Sequence, residues 1–250
     1  MTDIVALVTG GASGIGEAAA RRFRKAGWQV IVADINDSRG SEIAAEIGGI
    51  YRHLDVTLDE DVNRIVTEFP RIDVLVNAGG VLQKPEFLMT MELSEIDRIF
   101  DINATGVVRL CRAVGSKMVA AGQGAIINIG SLASLVTFPH PAYAFSKVAI
   151  TRITEILACE LGRKGVRVNA VAPGYTLTPA MQARIDSGER DPQAVFERSA
   201  IPRFVLPEEV GEAIYFLASP AASAITGVML PVDCGWAPYI GWSAAAARPQ

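Results

Sequence analysis

A tyrosine and a lysine four residues apart are the side chains of this sequence that best suit acid–base chemistry. Tyr143 and Lys147 lie at the start of a long helical pattern. This spacing brings both side chains to one face of a helix. An ammonium group close to a phenol favours the phenolate and lowers its pKa from about 10. The pair is a candidate proton donor and acceptor near neutral pH, although a surface tyrosine beside a solvated lysine has the same spacing.

A glycine-rich segment near the N-terminus has the features of a dinucleotide-binding turn. An apolar run at 4–8 predicts a strand buried on both faces, and the glycine-rich segment 9–16 follows at once. A helical stretch and a second strand come next. Glycines let the backbone turn tightly and approach a phosphate, and a helix N-terminus offers free N–H groups to it. The predicted cofactor contacts here are Gly10, Ser13, Gly14, Ile15 and Gly16.

Asp34, at the end of the second predicted strand, indicates which dinucleotide is bound. A carboxylate at this position can accept hydrogen bonds from an adenosine ribose. It would repel the additional phosphate of NADP, and no lysine or arginine lies within 10–16 to attract one. Arg39 is the nearest basic residue after Asp34 and counts against this inference. We therefore predict NAD as the cofactor.

Length and composition place the chain among globular α/β proteins. It has 250 residues, half of them apolar, which is enough for one domain with a substantial core. A net charge of −4 gives no electrostatic footprint for nucleic acid. The single cysteines and the two distant histidines indicate packing residues and no metal site. We see no signal peptide and no membrane span, so the default expectation is a soluble cytoplasmic protein.

Strand patterns alternate with helix patterns almost to the end of the chain. Strands are predicted at 4–8, 29–33, 50–54, 72–76, 124–129, 166–171 and 228–230. Helices are predicted at 17–26, 38–47, 58–69, 93–121, 142–161 and 207–217, with Gly106 and Gly115 as weak points of the fourth. This alternation predicts an α/β fold: a Rossmann-type doubly wound parallel sheet of about seven strands, with helices on both faces, in a single domain over 1–250. Ligands bind such sheets at the carboxyl ends of the strands.

Over about residues 4–235 the chain resembles the classical short-chain dehydrogenases/reductases. The glycine motif at 9–16 matches that family, and so does the triplet at 77–79. The family's catalytic tetrad matches Asn103, Ser131, Tyr143 and Lys147. The segment at 173–178 matches the part of the family fold that holds the nicotinamide carboxamide.

The resemblance implies a role for each member of the tetrad. Tyr143 is the general acid/base on the substrate oxygen, and Lys147 lowers its pKa and hydrogen-bonds the nicotinamide ribose. Ser131 holds the reacting oxygen, with Ser134 as the competing serine. Asn103 supports a water chain toward Lys147.

The same resemblance implies further cofactor contacts at the carboxyl ends of other strands. Asp55 and Val56 border the adenine, or alternatively this position is a plain helix cap. Asn77 tethers neighbouring strands by backbone hydrogen bonds and does no chemistry. Thr176, Thr178 or both hold the nicotinamide carboxamide. Thr178 precedes a proline and could equally begin a helix. These predicted contacts are Asp55, Val56, Asn77, Ala78, Gly79, Pro173, Gly174, Thr176 and Thr178.

Two departures from the family pattern affect the expected geometry. Ser131 precedes Tyr143 by twelve residues, where the family commonly has thirteen, so the loop between them is expected to be tight. Cys234 replaces a common glycine near the C-terminus. A cysteine is harder to place there if the backbone needs a positive φ.

Substrate specificity is expected from segments around the mouth of the crevice, at 81–87, 133–140 and 175–199. The last begins a predicted substrate lid at about 175–205. His140 and Tyr175 are the candidate substrate contacts. The arginines of the segment 175–199, at 184, 190 and 198, either bind an anionic substrate or are solvated. Residues 236–250 form an aromatic C-terminal tail.

The resemblance to the family, together with the preference for NAD, implies an NAD-dependent oxidoreductase that interconverts a secondary alcohol or polyol and its ketone. A 3-oxoacyl thioester reductase is the alternative within the family, and Asp34 counts against it because that activity normally uses NADP. A dinucleotide-sensing or scaffolding protein is the non-enzymatic alternative, and the intact tetrad counts against it. By analogy with the family we expect a homotetramer formed through helices 93–121 and 142–161 and the final strand.

Overall fold

Seven parallel strands form one sheet in the computed structural model, which describes residues 4–243. The strands are β1 Val5–Thr9, β2 Gln29–Asp34, β3 Ile50–His53, β4 Val74–Asn77, β5 Gly124–Ile129, β6 Val166–Pro173 and β7 Met229–Val232. Their order is β3-β2-β1-β4-β5-β6-β7, and every neighbouring pair is parallel. The chain reverses its direction of winding between β1 and β4. The predicted doubly wound sheet is confirmed.

Helices cover both faces of the sheet. The described residues form α1 Gly14–Lys25, α2 Asp37–Ile47, α3 Asp59–Glu68, α4 Leu93–Phe100, α5 Gly106–Ala121, α6 Pro141–Gly162, α7 Pro179–Asp186, α8 Pro192–Phe196, α9 Pro207–Ala218 and α10 Trp236–Ser243. One core cluster joins the sheet to α1, α2 and α9, and the other joins it to α3, α5 and α6. Along β1, Ala6 and Val8 enter the first cluster and Leu7 enters the second. This alternation explains why the strand is apolar throughout.

The helix predicted as one piece over 93–121 is divided by a wider turn. A π turn at Asp101–Thr105 separates α4 from α5, and Asn103 lies within it. Such turns commonly occur at functional positions because they re-aim one side chain without ending the helix. The Asn103 side chain accepts from the Val81 N–H at 2.8 Å and donates to the Val81 carbonyl at 2.9 Å.

Two helices, α8 and α10, lie where the sequence predicted none, and α7 begins where a helix start was the alternative role of Thr178. Both α7 and α8 fall within 175–205, and α10 includes the first part of the aromatic tail, whose residues 244–250 lie outside the described residues. Thr178 caps α7, its hydroxyl accepting from the Met181 N–H at 3.3 Å, as expected for a helix start before proline. Before α10, Cys234 takes the left-handed conformation with φ 54°, the difficulty that its position predicted. No helix among residues 4–243 is long and apolar enough to cross a membrane.

Alanine substitutions at the two glycines of α5 are expected to change stability in opposite directions. A Cβ at Gly106 would lie 2.8 Å from Val56 Cγ2, whereas at Gly115 the nearest atom would be at 3.6 Å. Gly106→Ala should lower the free energy of unfolding by about 1–3 kcal/mol through overpacking. Gly115→Ala should raise it by roughly 0.5–1 kcal/mol through helix propensity. Urea denaturation of both variants checks this prediction, and a shift of the same sign in both would contradict it.

Candidate active site

One crevice runs along the carboxyl ends of the strands, where the predicted site residues converge. Its volume is about 750 Å³, within the range of ligand sites. The predicted residues that line it are Gly10, Ser13, Gly14, Ile15, Gly16, Asp34, Asp55, Val56, Ala78, Gly79, Ser131, Tyr143, Lys147, Pro173, Gly174, Thr176 and Thr178. Asn77 and Asn103 lie behind this surface, and His140 and Tyr175 line an adjoining cavity.

The glycine loop is shaped as a cradle for a phosphate group. Gly10 has φ +62°, and a Cβ there would lie 2.6 Å from the Gly79 nitrogen. A Cβ on Gly16 would lie 2.1 Å from the Gly10 carbonyl oxygen. Ser13, the N-cap of α1, makes no capping hydrogen bond within the described chain, so the first N–H groups of the helix keep their capacity for an anion. These residues fit a dinucleotide.

Asp34 lies against the glycine loop. Its carboxylate accepts from the Ala12 N–H at 3.1 Å and from the Asn36 N–H at 2.9 Å, and it remains partly exposed on the crevice. Arg39 does not line the crevice. Its guanidinium pairs with Glu42 at 2.8 Å and approaches Glu17 at 3.4 Å. Arg39, which counted against NAD, is therefore paired with glutamates rather than with Asp34.

Tyr143 and Lys147 lie on adjacent turns of α6, as their spacing predicts. The Lys147 ammonium is 5.6 Å from the centre of the Tyr143 ring and donates to the Ile129 carbonyl at 2.8 Å. Burial lowers the pKa of Lys147 from 10.5 to about 8.

The pKa of Tyr143 is raised in this structure, where the nearby lysine predicted a lowered value, and the contribution of Lys147 itself stays a prediction. Burial raises the pKa of Tyr143, and the hydrogen bond from Ser131 opposes that rise only in part. The physical reason is that the desolvation of the phenol outweighs the opposing interaction.

Ser131 lines the crevice, whereas the competing Ser134 donates to the Lys147 carbonyl at 2.7 Å.

The two buried asparagines act on neighbouring segments of the chain. Asn103 donates to the Ser146 hydroxyl at 3.2 Å, which ties the π turn to α6. A Cβ on Gly80 would lie 3.0 Å from the Asn103 side-chain oxygen and 3.9 Å from the Lys147 nitrogen, so these polar groups flank the same glycine. Asn77 pairs with Thr9 of β1 and Asn128 of β5 in the sheet, and its side chain also donates to the Asn128 side chain at 2.8 Å.

Gln83 is a positioning residue for which no sequence motif indicated a role. Its side-chain oxygen accepts from the Tyr143 N–H at 3.0 Å, and the residue is buried. This bond satisfies one of the free N–H groups in the first turn of α6. The only sequence signal was its place in the segment 81–87, because the partner lies sixty residues away.

The adjoining cavity, which we call the inner cavity, has a volume of about 140 Å³. It shares Ser131 and Tyr143 with the crevice, and the predicted substrate residues His140 and Tyr175 line it. Burial, together with the charges of two nearby arginines, lowers the pKa of His140. No group of histidine, cysteine, aspartate and glutamate side chains in the described part of the chain could hold a metal ion.

Comparisons with known proteins identify the relatives of this chain. The family model described as Enoyl-(Acyl carrier protein) reductase matches residues 10–237. The (+)-borneol dehydrogenase 2 of Salvia officinalis is 39% identical, over 93% of this chain and 88% of that protein. The NAD-dependent glycerol dehydrogenase of Listeria innocua is 36% identical, over 94% of each.

A solved structure has the same fold. It is an oxidoreductase of the short-chain dehydrogenase/reductase family from Burkholderia thailandensis, 33% identical, with a TM-score of 0.87 over 94% of this chain and 93% of that one. With the matching family model and relatives, the chain belongs to the short-chain dehydrogenase/reductase family, as its motifs predicted. It is an oxidoreductase of the class that acts on CH–OH groups.

Replacing the buried lysine is expected to stabilise the protein at neutral pH. Since the pKa of Lys147 falls from 10.5 to about 8 on folding, the unfolded chain binds more protons between these values, and this residue costs less stability as the pH rises through them. Lys147→Met should raise the free energy of unfolding at pH 7 by about 1–3 kcal/mol, and this gain should shrink toward pH 10. Urea denaturation at both pH values measures the gain.

The control for this prediction is Lys117→Met. Lys117 also donates to a backbone carbonyl, that of Phe69 at 2.9 Å, but it is only partly buried. An equally large pH-dependent gain in the control would show that burial of Lys147 is not the cause.

Proposed function

We propose that the protein is an NAD-dependent dehydrogenase/reductase that interconverts a secondary alcohol or polyol and its ketone. The observation that carries this proposal is the arrangement of one crevice, with the glycine loop and Asp34 in one part and Ser131, Tyr143 and Lys147 in another. The relatives named above, which act on borneol and glycerol, support the substrate class.

The proposed contacts with NAD follow the order of the strands. The glycine loop and the start of α1 hold the phosphates, Asp34 holds the adenosine ribose, and Asp55 with Val56 borders the adenine. The segment 173–178 borders the nicotinamide. When bound, the nicotinamide ring would accept or donate the hydride, while the protein would position the reactants and transfer the proton.

The proton steps fall to the residues that surround the phenol. In oxidation the Tyr143 phenolate accepts the substrate's hydroxyl proton, and in reduction the phenol returns it to the carbonyl oxygen. Ser131, which hydrogen-bonds the phenol, holds the reacting oxygen. Because burial raises the Tyr143 pKa, the phenolate needs a positive charge nearby. The Lys147 ammonium, present below about pH 8, supplies one 5.6 Å from the ring centre.

The alternatives are weakened by the same residues. Asp34 disfavours NADP, which the 3-oxoacyl thioester reductases normally use, and Arg39 is engaged by Glu42 and Glu17. A sensing or scaffolding protein has no need for Tyr143, Lys147 and Ser131 on one crevice.

We also propose that four copies of the chain assemble. Phe145, Val148 and Ile156 are 46–55% exposed on α6, a helix through which family members associate, and this apolar surface supports assembly. A lid at 175–205 and a cytoplasmic location stay predictions.

Loss of the phenol oxygen is expected to abolish turnover while leaving dinucleotide binding nearly intact. Purified protein with NAD and a panel of secondary alcohols, polyols and hydroxy acids should produce NADH absorbance. Tyr143→Phe should lower kcat by roughly 100- to 10,000-fold, because it removes general acid–base catalysis. Tyr215→Phe, which alters a tyrosine of α9 away from the crevice, is the matched control. A fully active Tyr143→Phe variant would refute the assigned mechanism.

Removal of the Asp34 charge is expected to shift cofactor preference toward NADP. Asp34→Asn keeps the shape of the side chain and removes the like charge that a second phosphate would meet. The ratio of kcat/KM for NAD to that for NADP should fall at least about tenfold. Asp37→Asn is the control, since Asp37 is an exposed acid outside the crevice lining. An unchanged ratio in Asp34→Asn would remove the basis for preferring NAD.

A further inference from the structure

The inner cavity is positively charged. Arg184 and Arg190 both line it, with His140. No aspartate or glutamate of the described chain is in that lining. Arg198, the third arginine of the segment, is exposed and lies outside it. The sequence left open whether these arginines are solvated or bind an anion, and the structure separates two of them from the third.

Both cavity arginines carry unused hydrogen-bond donors. The Nε atoms of Arg184 and Arg190 are buried and have no hydrogen-bond partner among the described residues. Arg190 also has no ion pair with a carboxylate within that part of the chain. A buried donor on a charged group is costly to leave unpaired, and an anionic ligand would satisfy it.

Aromatic packing holds the Arg190 guanidinium at the cavity. Its central carbon lies 5.2 Å from the centre of the Tyr175 ring. Tyr175 packs edge-on against Trp236 at 5.6 Å and against Phe138 at 6.4 Å. A guanidinium held by an aromatic face keeps its in-plane N–H groups for a second partner, and their spacing matches a carboxylate. The backbone N–H of Arg190 donates to the backbone carbonyl of Arg184 at 2.9 Å, which keeps the two arginines adjacent.

The charge balance favours a monoanion. Arg184 pairs with Glu189 at 3.2 Å, so the two guanidinium groups and this carboxylate leave one net positive charge. His140 adds no charge at neutral pH, because burial and the two arginines lower its pKa. A single carboxylate matches that charge.

We infer that the substrate is a small hydroxy acid whose carboxylate is bound by Arg190 and Arg184 in the inner cavity while its hydroxyl group meets Ser131 and Tyr143. The inference rests on the proposed function, since it names the substrate class of that same site. The cavity's volume of about 140 Å³ accommodates a short carbon skeleton.

Matched charged and neutral substrates test the inference. The kcat/KM values for 3-hydroxybutanoate and 4-hydroxypentanoate are compared with those of their amides. Wild-type protein should prefer at least one acid over its amide by roughly 30-fold or more. Arg190→Gln should lose a similar factor on that acid and leave the amide unchanged. Arg198→Gln, which removes the same charge from the same segment, should change neither. Equal use of acid and amide by an active wild-type enzyme would overturn the inference and leave the proposed function standing.

A binding measurement keeps the inference testable without turnover. Butanoate and butanamide are titrated into the protein by calorimetry, with and without NADH. Butanoate should bind more tightly than butanamide, and Arg190→Gln should remove that preference. Failure of every alcohol to react would count against the proposed function, and this titration would still decide the carboxylate site. Equal binding of butanoate and butanamide, or an unchanged preference in Arg190→Gln, would overturn it.

Discussion

The hydrogen bond from the Lys147 ammonium to the Ile129 carbonyl is the interaction around which the site is arranged. At 2.8 Å it joins α6, which carries Tyr143, to the end of β5. Burial disfavours the charged lysine, so its pKa falls to about 8. A buried ammonium is a poor choice for stability, because an apolar side chain would avoid the desolvation. Its position is explained by the need for a positive charge near a phenol whose own pKa burial raises.

Polar contacts from three separate segments fix the same turn of α6. Gln83 accepts from the Tyr143 N–H, Asn103 donates to the Ser146 hydroxyl, and Ser134 donates to the Lys147 carbonyl. Their partners are backbone groups or short side chains, so each bond restricts the position of the helix more than that of a flexible side chain. Such support keeps catalytic groups within a narrow range of positions.

The two cavities differ in charge. The larger crevice has carboxylates in the part around Asp34 and Asp55 and cations at Lys147 and Arg98, whereas the inner cavity has guanidinium groups at Arg184 and Arg190 and no carboxylate in its described lining. Tyr143 lines both cavities. Under the proposals above, the acidic part receives ribose hydroxyls and the basic part receives a carboxylate. Opposite charge preferences would then orient the two reactants toward the phenol between them.

The sequence by itself determined the sheet, the glycine loop and the relation of Tyr143 to Lys147. Each depends on local periodicity, on glycine's conformational freedom, or on a spacing that any helix converts into one face. Only the tertiary structure decided the π turn at 101–105, the contact of Gln83 with Tyr143, the direction of the Tyr143 pKa shift and the placement of Arg190 in a cavity. Burial and long-range partners set these features, and neither can be read from neighbouring residues in a single chain.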